Sequence, residues 1–122
     1  SDLFEYLVGS VEGTLENKSL ISWKNKSAVC IVLASKGYPE SYPKGEEIFG
    51  LGNAFDDAYI FHAGTKELDK KIITNGGRVL GVTALGDTLE AAIKHAYDVT
   101  EKISWENKYL RTDIGKKGLS HL

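Results

Sequence analysis

Thr74-Asn75-Gly76-Gly77-Arg78-Val79-Leu80-Gly81 joins two apolar, strand-like runs through a pair of adjacent glycines. The runs are Lys71–Thr74 and Arg78–Leu85, and Gly81 breaks the second one. Adjacent glycines allow a tight turn with positive φ and leave backbone N–H groups open. The stretch therefore predicts two short strands joined by a tight turn, within a compact and sharply curved sheet.

Other segments extend this strand-like pattern along the chain. Ser27–Leu33 is β-branched and apolar on both faces, which predicts a buried strand that ends before a turn at Tyr38-Pro39. Ala58–Ala63 predicts a further strand, and Tyr109–Arg111 a short one. Short strands separated by turn residues indicate a β-rich unit.

Two segments have helical spacing. In residues 1–13 the apolar side chains fall on one stripe, the first two residues can cap the first turn, and Gly13 ends the pattern. Asp87 and Glu90 have the spacing of a capping box, and no glycine or proline occurs from Asp87 to Ile103. The second helix is expected to pack on the sheet, which makes the fold class α+β.

A domain boundary is predicted near Trp23. A polar stretch at residues 16–19 precedes it, a pattern typical of a connection that enters a new packing unit. We therefore divide the chain into residues 1–22, a terminal helix and linker, and residues 23–122, the main domain. Because the first helix has an apolar face and no preceding turn, we expect it to come from the end of another domain.

Composition narrows the function classes. With a net charge of -2 and a pI near 5.9, the 122-residue chain has no broad positive field for nucleic acid or anionic membranes. The longest apolar run, Ala28–Ala34, is too short to span a bilayer. Cys30 is the only cysteine, so no intrachain disulfide can form, and we expect a packed thiol in a cytoplasmic protein.

The glycine pair and the arginine that follows are the strongest candidate site. Amide donors of Asn75, Gly76 and Gly77, together with the guanidinium of Arg78, suit a phosphate or a carboxylate. The alternative is an ordinary hairpin with a surface arginine. The spacing alone favours the hairpin, because Asn-Gly pairs are the ordinary hairpin signal.

His62 and Thr65 form a second candidate, because a strand end can present a titratable ring and a hydroxyl to a site. A structural histidine is the alternative. No partner stands at metal-ligand spacing, so no metal site is predicted. The chain also contains no Walker-type lysine loop and no G-x-G-x-x-G fingerprint.

Several motifs, in their sequence and in their order along the chain, resemble the C-terminal region of the phosphoribosylamine-glycine ligase family. These motifs cover nearly the whole chain, and they are Trp23, Ser27–Ser35, Gly37-Tyr38-Pro39, Lys44-Gly45, Phe61–Thr65, Thr74–Gly86 and Arg111–Gly115. The resemblance implies an ATP-grasp ligase that joins glycine to 5-phosphoribosylamine, using ATP and Mg²⁺ or Mn²⁺. It implies purine synthesis in the cytoplasm.

The resemblance also implies roles for parts of this chain. Residues 1–22 would end the ATP-grasp domain, and residues 23–122 would be a small β-rich domain of barrel-sandwich-hybrid type that helps to hold phosphoribosylamine. Arg78 would bind the sugar phosphate, with Gly76 and Gly77 assisting and His62 and Thr65 on the same wall. The family's metal ligands lie outside this chain, so no catalytic residue, ATP or metal is expected here, and the fragment alone is expected to be inactive. Its expected partners are the rest of its own polypeptide and small-molecule substrates.

The alternative is a freestanding barrel-sandwich module, either structural or related to carrier domains. A carrier domain needs an exposed lysine at a hairpin tip, and Lys70 and Lys71 are near a turn. The flanking methionine that carriers use is absent, since the chain contains no methionine.

Overall fold

A computed structural model of the protein describes residues 1–121. The helices are α1 (Leu3–Glu12), α2 (Leu89–Glu101) and α3 (Lys116–Leu119), with a short 3₁₀ helix at Leu15–Asn17. The strands are β1 (Ser27–Ser35), β2 (Ala58–His62), β3 (Thr65–Leu68), β4 (Lys71–Thr74), β5 (Arg78–Gly86) and β6 (Lys108–Tyr109). The expected α+β class is confirmed.

Two antiparallel sheets organise the fold. The main sheet has the strand order β2-β5-β1-β6, and β3 pairs only with β4 as a separate hairpin. Strands β1 and β5 run side by side from the pair Ser27–Gly86 to the pair Leu33–Leu80, where a bulge shifts the register. The bulge ends the regular pairing next to Arg78 and so marks where β5 leaves the sheet.

The core lies between the inner face of the main sheet and helix α2. Side chains alternate between the two faces of a strand, so every second residue of β1 and β5 is available for this contact. The buried side chains of this layer are Val29, Ile31, Leu33, Val82, Ala84, Ala92, Ala96 and Val99. Full burial of one aliphatic side chain stabilises the fold by about 1.5–3 kcal/mol, so this helix–sheet layer holds the domain together.

The outer face of the main sheet carries apolar side chains without a covering helix. Val32 is 47% exposed and Phe61 is 58% exposed. The prediction that β1 is buried on both faces is therefore wrong, and so is the prediction of a packed thiol, because Cys30 lies on the exposed face. A single helix can cover only one side of a sheet, and α2 covers the inner face, which leaves the outer face exposed.

The connection from β4 to β5 is not a hairpin, contrary to the sequence prediction. Strand β4 pairs with β3, and β5 pairs with β2 and β1, so residues 75–77 cross from one sheet to the other. Gly76 and Gly77 also lack the predicted positive φ. The tight turn lies instead at Asp69 and Lys70, which join β3 to β4 with φ of 50° and 64°.

The helix ends follow local capping rules. Asp2 caps α1 by accepting a hydrogen bond from the Phe4 N–H at 2.9 Å, and Gly13 ends it with φ of 73°. Helix α2 is capped by Thr88, whose hydroxyl accepts from the Ala91 N–H at 3.1 Å, one residue later than the sequence predicted. Within residues 1–121, no helix is both long and apolar enough to cross a bilayer.

The segment before β1 makes few contacts with the sheet. Helix α1 packs against the 3₁₀ helix, where Leu15 lies against Gly9. The Tyr6 hydroxyl donates to the Ser19 carbonyl at 2.8 Å. Most of the apolar stripe on α1 is exposed, with Val11 at 90%. This stripe and the outer sheet face are two apolar surfaces that the described part of the chain leaves uncovered.

Candidate functional site

A cleft of about 460 Å³ opens on the outer face of the main sheet, where β5 begins. We call it the glycine cleft. Its lining residues are Val32, Tyr38, Phe61, Ala63, Gly64, Asn75, Gly76, Gly77, Arg78, Leu80 and Gly81. Four of the predicted site residues, Asn75 to Arg78, therefore come together in one concavity.

Close packing explains why glycines occupy this segment. A Cβ on Gly64 would lie 2.4 Å from the Arg78 carbonyl oxygen and 3.0 Å from the Cα of Gly76. A Cβ on Gly77 would lie 1.8 Å from Cδ2 of the Tyr38 ring. Any side chain at these positions collides with a neighbour. The glycines therefore allow close contact between residues 75–77, which we call the crossing segment, and their surroundings.

Ser35, at the buried end of β1, holds the crossing segment from the core side. Its hydroxyl donates to the Gly76 carbonyl at 3.0 Å, and its N–H donates to the Gly77 carbonyl at 2.8 Å. Within residues 1–121, the N–H groups of Gly76 and Gly77 have no hydrogen-bond acceptor. The two carbonyls are thus occupied, while the two amide donors are unpaired, including that of the buried Gly77.

Arg78 is exposed at the rim of the glycine cleft. No carboxylate of the described chain forms an ion pair with its guanidinium, and no described acceptor takes a hydrogen bond from it. A free guanidinium beside free amides is the arrangement that binds phosphate or carboxylate groups. The local charge of the rim is positive although the whole chain is acidic.

A second, more apolar cleft of about 310 Å³ adjoins the first, and Tyr38, Val32 and Arg78 line both. Its far side carries Arg111, which forms two hydrogen bonds with Asp113, at 3.0 Å and 2.7 Å. These bonds hold the pKa of Asp113 below its usual value of 3.8 and raise the pKa of Arg111. Arg111 is therefore already neutralised, whereas Arg78 is not.

His62 and Thr65 do not line the glycine cleft. They face each other, with His62 Nδ1 at 2.8 Å from the Thr65 hydroxyl. Side chains alternate along β2, so Phe61 faces the cleft and His62 points to the other side. Their neighbours Ala63 and Gly64 belong to the lining.

The sequence predicted no role for Ser35, and it placed Tyr38 only in a turn. Ser35 is the last residue of β1 and Tyr38 lies in the turn that follows, and these residue types are equally common in exposed turns. Their importance comes from contacts with Gly76 and Gly77, some forty positions away in sequence, as the 41-residue separation of the Ser35–Gly76 hydrogen bond illustrates. No local pattern encodes such a contact.

The described residues contain no cluster of metal ligands. In residues 1–121, no three His, Cys, Asp or Glu side chains lie close enough together to hold a metal ion. Among residues 1–121, no Asp or Glu side chain lines either cleft, and Arg111 of the second cleft is paired with Asp113. The residues that line the glycine cleft offer a guanidinium and backbone amides, which are groups that suit an anion.

Comparisons with known proteins identify the family. Residues 28–117 match the family described as "Phosphoribosylglycinamide synthetase, C domain". The phosphoribosylamine–glycine ligase of Synechocystis sp. is 49% identical over 118 residues, which are 96% of this chain and 28% of that protein. A bifunctional purine biosynthetic protein of Dictyostelium discoideum is 48% identical over 125 aligned positions, which span 100% of this chain and 15% of that protein.

A solved structure shares the fold. The crystal structure of phosphoribosylamine–glycine ligase from Thermotoga maritima superposes with a TM-score of 0.69 at 37% identity. The match covers 89% of this chain and 27% of that one, so the chain corresponds to a small part of its relatives. The family match spans most of the chain, and the protein therefore belongs to the phosphoribosylglycinamide synthetase C-domain family.

Proposed function

We propose that the chain is the C-terminal part of an ATP-dependent ligase that joins glycine to 5-phosphoribosylamine. The products are glycinamide ribonucleotide, ADP and phosphate, and the reaction belongs to purine synthesis in the cytoplasm. The identities of 48–49% with proteins named for this pathway support the proposal.

One observation carries the role that we assign to this chain. The unpaired guanidinium of Arg78 stands beside the free amides of Gly76 and Gly77 at the glycine cleft. We propose that this cleft holds the 5-phosphate of phosphoribosylamine, with Asn75 beside it. His62 and Thr65 do not line the cleft, and we propose that they only support its wall, because Ala63 and Gly64 between them line it.

ATP and Mg²⁺ or Mn²⁺ belong to other parts of the polypeptide in this proposal. The described residues contain no cluster of metal ligands. The chain therefore contributes binding and orientation, and we expect no ligase activity from it alone. When bound elsewhere in the enzyme, ATP supplies the phosphoryl group that activates glycine.

The two uncovered apolar surfaces support this view of the chain as one domain of a larger enzyme. Residues 1–22 are assigned to the end of the ATP-grasp domain, and residues 23–122 to a C-terminal domain of barrel-sandwich-hybrid type. The outer sheet face carries the glycine cleft, so a neighbouring domain that covers this apolar face would also close the cleft.

The carrier-like alternative has one supporting feature, since Lys70 occupies the tip of the β3–β4 hairpin. That hairpin has only two strands and belongs to no larger sheet. The family match favours the ligase.

Replacement of Arg78 in the complete ligase polypeptide tests the proposal. Loss of a charge-assisted hydrogen bond costs about 1.5–3 kcal/mol, so Arg78→Ala should raise the KM for phosphoribosylamine by about ten- to a hundredfold. The KM values for ATP and glycine should not change. Arg78→Lys keeps the charge without the paired donors and should have an intermediate KM.

Lys94→Ala is the control, because Lys94 is an exposed cation on α2 and lines neither cleft. It should behave as the wild type. An unchanged KM for phosphoribosylamine in Arg78→Ala, measured on folded protein, would refute the assignment of this cleft.

A further inference from the structure

The turn from Ser35 to Tyr38 contacts the glycine pair from two sides. The Tyr38 N–H donates to the Ser35 carbonyl at 3.1 Å, so the two residues are the ends of one hydrogen-bonded turn. Ser35 contacts the crossing segment from the core, and the ring of Tyr38 lies on Gly77 from the cleft side. A single short loop thus contacts both faces of the segment that precedes Arg78.

Ser35 determines the direction in which an amide donor points. The peptide bond between Gly76 and Gly77 is planar and trans, so its C=O and its N–H point in opposite directions. The Gly76 C=O is directed to the Ser35 hydroxyl. The Gly77 N–H is therefore directed away from Ser35, which is buried and lines neither cleft.

Tyr38 limits where the segment can move. Its ring occupies the position that a Cβ on Gly77 would take, and it forms part of the wall of both clefts. Tyr42 supports it in an edge-to-face contact, with ring centroids 5.8 Å apart. Within residues 1–121 the Tyr38 hydroxyl has no hydrogen-bond partner, so the ring alone makes these contacts.

We propose that Ser35 and Tyr38 are positioning residues, which orient the Gly77 amide and place Arg78 for the anion. The proposal rests on the proposed function of the glycine cleft. Amide donors stabilise an anion best when their direction is fixed before binding, because no free energy is then spent on orienting them. The side chain of Ser35 acts only through Gly76 and Gly77, and the ring of Tyr38 acts through Gly77.

Kinetics of the complete ligase polypeptide test this inference. Ser35→Ala removes one hydrogen bond to the segment, and we expect the KM for phosphoribosylamine to rise by about two- to tenfold. Tyr38→Ala should have a similar effect. The kcat at saturation and the KM for ATP and glycine should stay at wild-type values, which a general loss of structure would not allow.

Matched variants separate the possible causes. Tyr38→Phe keeps the ring and should restore the wild-type KM. Ser27→Ala, at the other end of β1, removes a serine hydroxyl that makes no described hydrogen bond and should leave all constants unchanged. Tyr38 is 41% exposed, so its variants should fold even if Ser35→Ala does not, and Tyr38→Ala then decides the question.

Two outcomes contradict the inference, and they differ from failure of the proposed function. If Arg78→Ala raises the KM for phosphoribosylamine and Tyr38→Ala does not, the cleft binds the substrate without help from this turn. If Tyr38→Phe is as impaired as Tyr38→Ala, the hydroxyl acts rather than the ring, and the inference is wrong. If Arg78→Ala itself has no effect, the proposed function fails, and the positioning role fails with it.

Discussion

Gly64 and Gly76 are in backbone contact where the β3–β4 hairpin leaves the main sheet. The Asn75 N–H donates to the Gly64 carbonyl at 2.8 Å, and a Cβ on Gly64 would lie 3.0 Å from the Cα of Gly76. This contact sets the position of the hairpin relative to the strand that carries Arg78. It therefore links the fold directly to the shape of the glycine cleft.

Gly64→Ala should destabilise the protein by about 1–3 kcal/mol, because the added methyl group meets backbone atoms that cannot rotate away. Chemical denaturation monitored by tryptophan fluorescence measures this change. Gly52→Ala is the control, since a Cβ there meets no atom within 4 Å. Equal stability of the two variants would show that the contact at Gly64 is looser than described.

Lys70→Gly should stabilise the β3–β4 hairpin. Asp69 and Lys70 both have positive φ, and a left-handed conformation costs a residue with a side chain about 1–2 kcal/mol. The greater freedom of glycine in the unfolded chain offsets part of this gain, which leaves a net stabilisation of about 0.5 kcal/mol.

The comparison for Lys70→Gly is Lys66→Gly, which lies in β3 and should destabilise by about 0.5–1 kcal/mol. Both values can be obtained from denaturation curves. A destabilised Lys70→Gly variant would contradict the turn geometry.

The Arg111–Asp113 pair should make a small part of the stability depend on acid. Its hydrogen bonds lower the pKa of Asp113 in the folded protein below 3.8. The pair therefore stabilises the fold above the ordinary pKa, and this contribution is lost as the pH falls through the lowered value. An NMR titration of the Asp113 carboxyl carbon should give a midpoint below 3.8.

In Arg111→Gln the charge partner is removed, and the Asp113 midpoint should rise toward its ordinary value. The variant should also be less sensitive to acid than the wild type in the same pH range. An identical Asp113 midpoint in both proteins would exclude the ion pair in solution.

Four of the six strands and helix α2 could be predicted from the sequence because their signals are local. Strands β1, β2, β4 and β5 have continuous β-branched or apolar runs, and α2 has a cap followed by a segment free of glycine and proline. Thr65–Leu68 was missed as a strand because most of its side chains are exposed and show no apolar alternation. Pairing with β4 makes it a strand.

The candidate site could be predicted only in part. Asn75, Gly76, Gly77 and Arg78 are adjacent in sequence, and the sequence therefore predicted that they lie together, as they do in the lining of the glycine cleft. The reason for the glycines was wrong, since close contact with Tyr38 and Gly64 requires them, not a left-handed turn. Likewise, the exposure of Cys30 depends on which sheet face α2 covers, and the apolar run of β1 does not indicate which face that is.

Arg78 stands on the rim shared by the two clefts, and Arg111 on the far side is already neutralised by Asp113. The single unpaired guanidinium of Arg78 thus lines both clefts, and it can compensate only one negative charge at a time. Anions in the two clefts should therefore exclude each other. A small acidic molecule bound in the second, more apolar cleft would compete with the sugar phosphate.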